Sequence, residues 1–197
     1  MKAFSNRTKM AATIVALLTA LTGAALAHGA NTRETPGAPD LRVRVVELGQ
    51  VKGFWTEDCP IAYANATAWA QGNDVEAPAL QSEGFVIGVR ELLRSDQGDT
   101  GVGVALRFRS AAGAKADLDR REQLAGHQGY AVSFAVPGSP SVRAYTVRTK
   151  GSTTVHAGFA RGAVEYAIAV EAAHGTDVDA LQRALATAIG REARYVG

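Results

Sequence analysis

Cysteine is almost missing from this chain: Cys59 is the only one in 197 residues. A lone thiol closes no bridge within the chain, so the sequence is not a disulfide scaffold, and no pair of thiols exists to grip zinc or run redox chemistry. Beside Pro60 it reads as a small buried thiol, with an intermolecular disulfide as the alternative. Histidine is equally sparse as a metal set. His28, His127, His156 and His174 fall in separate segments with no pair at i, i+4 on a helix, so neither a metal nor a cofactor is expected. Charge of one sign is lacking too. The chain has 21 basic and 19 acidic residues, and removing Lys2, Arg7 and Lys9 with the segment described next leaves 18 against 19. That balance offers no footprint for nucleic acid or for an anionic membrane.

What is present begins with an export signal. Lys2, Arg7 and Lys9 make a positive start, Met10 to Ala27 carries no charge, and Ala25-Leu26-Ala27 has the small-x-small cleavage pattern. The apolar run is a little short of the roughly 20 residues of a spanning helix, which favours cleavage after Ala27 over retention as an anchor. Residues 1–27 are therefore expected to be removed and the protein secreted, to the cell wall or beyond it, with no membrane span left. His28 to Asp40, with Pro36, Gly37 and Pro39, has the composition of a flexible leader. Residues 41–197 are expected to form a single domain, long enough to hold a core without staples.

Within that domain, Val43 and Val45 alternating with Arg42 and Arg44 predict a short strand between Leu41 and Trp55. The run after Pro60, with Ile61, Asn65 and Trp69 at i, i+4, i+8, predicts a helix over 60–70. Phe85, Ile87 and Val89, then Val102, Val104, Leu106 and Phe108, alternate on either side of SDQGDTG and predict an antiparallel hairpin. Ser110 is placed to cap a helix running to about Leu124. Tyr145 and Val147, Val155 and Phe159, and Val164, Tyr166, Ile168 and Val170 each mark one face of a further strand, and Thr176 or Asp177 caps a last helix with the stripe Val178, Leu181, Leu185, Ala188, Ile189. The order implies an α+β fold, an antiparallel sheet with helices packed on one face. Burial of the apolar alternates under the helical stripes is expected to leave no polar cluster inside.

The nearest approach to a catalytic motif is Ser139, between Gly138 and Pro140. A nucleophile elbow needs a helix after the serine and the backbone N–H of the next residue for its oxyanion hole; Pro140 has no N–H, and the following residues alternate like a strand. Ser139 therefore reads as part of a corner. Asp96 to Gly101 resembles a calcium loop but lacks its distal glutamate, and Gly101-Val102-Gly103 lies within a strand and cradles no phosphate. Candidate ligand contacts come from the sheet. Arg107 and Arg109 are expected on a solvated face shared with Glu165 and Glu171, where Gly103, Ala105, Ala167 and Ala169 leave room for an anionic ligand or a partner. His156 and Glu165 are expected to meet across the Arg161-Gly162 hairpin as a solvated cross-strand pair.

The segments GFVIGVRELLRS, GVALRFRSAAGAKADL and HAGFARGAVEYAIAV, the Pro-Gly corner and the final helix together resemble an uncharacterised family of small exported actinobacterial proteins and lipoproteins. The resemblance implies a Mog1/PsbP-like α+β sandwich. No cysteine follows the cleavage site, unlike the lipoprotein members, and the family supplies no catalytic residues to carry over. The resulting expectation is a non-catalytic exported domain that binds a small molecule or a cell-envelope protein, with Arg107, Arg109, His156 and Glu165 as candidate contacts. A secreted hydrolase whose residues converge from separate segments is the alternative.

Overall fold

The computed structural model describes residues 40–57 and 59–196; the expected signal and all of the leader but Asp40 lie outside them. The first element corrects the sequence reading. Asp40 accepts hydrogen bonds from the N–H of Arg42 at 2.9 Å and of Val43 at 3.5 Å, an N-cap that starts helix α1, Leu41–Gly49, where a strand was expected. Leu41 and Val45, one helical turn apart, are buried, whereas Val43 is exposed. Two short strands follow, β1 (Phe54–Thr56) and β2 (Ile61–Tyr63), so the helix expected from Pro60 begins only at α2, Ala66–Ala70, capped by the Asn65 side chain. Cys59 is exposed, not buried. Helix α3 covers Glu76–Glu83.

The remaining elements lie where the periodicity placed them. The hairpin is β3 (Phe85–Ser95) and β4 (Thr100–Phe108); Ser110 caps α4 (Ala111–Gln128) by accepting from the Gly113 N–H. Strands β6 (Arg143–Arg148), β7 (Thr153–Arg161) and β8 (Val164–Ala172) precede α5 (Val178–Tyr195), which Asp177 caps. A short strand, β5 (Tyr130–Ser133), was not expected. The strands form one antiparallel sheet in the order β1-β3-β4-β8-β7-β6-β5, with β2 also paired to β3. The fold is thus the expected single α+β domain.

Helices cover both faces of the sheet instead of one. Register explains it: Leu106 stands opposite Glu165 and Val104 opposite Ala167, while Ala105 stands opposite Tyr166. The apolar alternates of β4 and β8 therefore point to opposite sides. Tyr166, Ile168, Val155 and Phe159 pack against Leu41 and Val45 of α1 and Leu185 and Ile189 of α5. Val104 and Leu106, with Ala167 and Ala169 beside them, lie under α4 and the α2-α3 segment, where Leu80 and Ala114 cover them. Both faces being buried, β4 and β8 read as nearly continuous apolar runs.

Two sequence motifs settle into structural roles. The Ser139 N–H donates to the Val136 carbonyl and its own carbonyl accepts from the Val142 N–H, both at 3.1 Å, with Gly138 at φ +71°, so the segment is a turn. Asp99, buried at the β3-β4 turn, accepts from the Ser95 hydroxyl at 2.7 Å, the Ala173 N–H at 2.8 Å and the Thr176 hydroxyl, and these bonds hold its pKa below the ordinary value against the opposing effect of burial. It ties the hairpin to the segment leading into α5.

Candidate functional site

On the α4 side, the middle of the sheet floor is built from the small residues Ala167, Ala169 and Gly158. Crossing it at one level are Arg90 on β3, Val104 on β4, Ala167 on β8, Gly158 on β7 and Arg143 on β6. One level over lie Leu92, Val102, Ala169, His156 and Tyr145. The roof is α4, whose Leu118, Arg121, Leu124 and Ala125 sit above this floor, and the space between is a cavity of about 140 Å³. One wall depends on a glycine: a Cβ at Gly88 would come within 2.6 Å of the Trp69 ring. Trp69 thereby lies against the sheet, edge-to-face with Tyr63 at 5.4 Å.

The roof is held by charge. Asp117, Arg120 and Arg121, at i, i+3 and i+4, share one side of α4. Arg121 Nε meets Asp117 at 2.7 Å and Glu165 at 3.6 Å, and its Nη2 meets Glu76 at 3.0 Å. Arg120 reaches Glu76 and Glu83 on α3, each at 2.8 Å, and also bonds Asp117. Arg143 pairs with Asp119 and Glu122 of α4. The sequence-based expectation of an interior free of polar clusters is therefore wrong. The stretch DLDRREQL within α4 carries the signal: three charges on its inner side can only be buried if partners await them.

Glu165 is fully buried, not solvated. Burial and the neighbouring Asp117 carboxylate push its pKa far above the carboxylate range, although Arg121 opposes them. Asp117 is the ionised partner: burial acts to raise its pKa, but Arg121, the Glu165 carboxyl and Arg120 hold it below the ordinary value. Neither Glu165 oxygen has a well-aligned hydrogen bond. His156 stacks on Tyr145 at 5.0 Å, 17° from coplanar, and burial aided by Arg121 pulls its pKa down to about 4. The ring is neutral at physiological pH, and its Nε2 has no partner.

Arg90 completes the polar lining. Its guanidinium lies 4.9 Å over the Tyr63 ring. With the Gln71 amide oxygen turned toward it, Nη1 and Nη2 donate at 3.2 and 3.1 Å. Nε is sealed from water and has no acceptor.

No family model and no curated protein matches the chain. Among solved structures it is similar to the extracellular domain of PknH from Mycobacterium tuberculosis, at 13% identity and a TM-score of 0.46, over 78% of this chain and 91% of that one. A likeness of that order bears on neither ligand nor activity.

Of the four residues singled out from sequence, two share the cavity lining, but not as the expected cross-strand pair: His156 stands opposite Ala169 and Glu165 opposite Ala160. His156 and Glu165 both line the cavity. Arg107 does not join them: it stands opposite Ile87 and Val164, on the other face of the sheet from Glu165. Arg109 lies exposed beyond the end of β4, its stem near Gly84. The expected open face also splits, since Ala167 and Ala169 border the cavity while Gly103 and Ala105 face α1 and α5. Arg90, Arg121 and Tyr145 were missed because each needs a partner from another strand or helix to have meaning. No helix among the described residues is long and apolar enough to cross a membrane.

Proposed function

We propose that the protein is an exported domain that binds a small ligand in the cavity between the sheet and α4. Export is supported by the amino-terminal segment of the sequence, with its basic start, uncharged run and Ala-Leu-Ala site. The observation that carries the binding reading is the void itself. Interiors are packed to crystal density, and a space of about 140 Å³ between a sheet and its covering helix departs from that packing. The fold keeps this space open with Ala167, Ala169 and Gly158 on the floor and ion pairs as posts, and places Arg90, His156 and Glu165 in its lining.

The lining supports binding over hydrolysis. A nucleophile needs an adjacent base within hydrogen-bond reach. Here His156 Nε2 meets neither a hydroxyl nor a carboxylate among the described residues, and the charged neighbour of Glu165 is Arg121, at 3.6 Å. Native mass spectrometry of the protein purified from its producer tests the reading. A stoichiometric small-molecule adduct, lost in the cavity-filling variant Ala167→Leu, is the expected result. An adduct that Ala167→Leu retains places the ligand elsewhere and removes the case for this site.

A further inference from the structure

The ion pairs around the cavity account for every guanidinium in its lining but one. Arg120 and Arg121 are matched by Asp117, Glu76 and Glu83, and Arg143 by Asp119 and Glu122. Glu165, the remaining carboxyl in the lining, lies 3.6 Å from Arg121. Arg90 makes no ion pair among the described residues; its contacts are the Tyr63 ring and the Gln71 amide, both uncharged. Trp69 and Tyr63 shelter it, so its charge is only partly answered by water. A sheltered cation without a counter-charge is costly, and the Nη–H donors that Gln71 does not use can hold a carboxylate.

From Arg90 the floor runs away over Val104, Ala167 and Gly158. It is apolar, roofed by Leu118, and bordered on the far side by the Tyr145-His156 stack. The strands from β3 to β7 span roughly 14 Å at about 4.8 Å each, and the inward reach of Arg90 takes up part of that. A cavity close in size to one that holds a benzene molecule remains. We infer that the ligand is a small amphipathic monoanion: a carboxylate held by Arg90, with an apolar body about the size of one aromatic ring resting on Ala167 and Ala169. This deepens the binding reading above and rests on it.

The test compares phenylacetate with phenylacetamide by titration calorimetry on the intact protein. The two probes share shape and differ in charge. The expected result is saturable one-to-one binding of phenylacetate, at least about ten-fold tighter than the amide, with Arg90→Gln erasing the difference and Ala167→Leu abolishing both. The acid-amide comparison on the unmodified protein stands even where a variant fails to fold. Equal binding of the two, blocked by Ala167→Leu, overturns the anion assignment and leaves the cavity reading intact. Failure of both to bind also overturns it. In that case an adduct on the producer's protein keeps the cavity reading, and its absence removes that as well.

Discussion

The two faces of the sheet are covered by helices in different ways. Under α1 and α5 the residues are large and interlocked. Phe159 and Tyr166 stack at 5.1 Å, and Ile168, Leu185 and Ile189 close around them. Under α4 the same strands offer alanine and glycine, and the helix stands off on arginines. One strand encodes both: in β8, Val164, Tyr166, Ile168 and Val170 fill their side, while Glu165, Ala167 and Ala169 leave theirs open. The alternation is of size as much as polarity. Large side chains make one face a core, and small ones with buried charges make the other a chamber.

Each face also holds a carboxyl that sharpens the contrast. Glu165 sits within a network. Glu91, on the α1 side, is 3% exposed with Oε2 unpartnered, wedged so close to α1 that a Cβ at Gly49 would lie 2.3 Å from it. Burial raises its pKa to about 7.

The comparison yields predictions of decreasing size. Arg121→Met should be the most damaging, at about 3–5 kcal/mol in urea unfolding, because it leaves Asp117 and Glu76 short of a buried counter-charge; a loss below about 1 kcal/mol would mean the roof is held by packing after all. Ile189→Ala on the apolar face should cost about 3 kcal/mol through a new cavity, yet leave phenylacetate binding unchanged. For Glu91 the folded pKa is raised, so its contribution is present at low pH and is lost as pH rises from about 4.5 through about 7. Glu91→Gln should match the wild type near pH 4.5 and exceed it by about 2 kcal/mol at pH 8, after allowance for water reaching the group. A variant that loses stability in parallel with the wild type across that window rules out Glu91 as the source. Arg109→Ala, exposed and away from the cavity, should alter stability by less than about 0.5 kcal/mol and leave the calorimetric titration unmoved.

Much of this fold was legible because periodicity and caps agreed. Ser110 and Asp177 announced α4 and α5, and the alternating runs gave β3, β4 and β6 to β8. The failures have physical causes. Leu41 to Gly49 alternates valine with arginine, a strand-like pattern, but the capping carboxylate of Asp40 and the buried pair Leu41 and Val45 decide for helix. Pairing also went astray. Assuming that all apolar alternates faced one way put Glu165 in solvent, whereas the register sets it opposite Leu106. His156 and Glu165 lie on neighbouring strands as expected, but four positions apart along the ladder, so they share a lining and not a contact. Arg90 was missed, because what marks it is the lack of an ion pair in a site assembled from other strands and α4.

The location of the ligand is open to a direct test by methyl-resolved NMR during titration with phenylacetate. Shifts confined to Leu92, Val102, Val104, Leu118 and Leu124, which line the cavity, are expected, with Val155, Leu185 and Ile189 left at most slightly displaced. Shifts centred on the groove between Phe134 and Arg183, or on the methyls packed beneath α5, would contradict it.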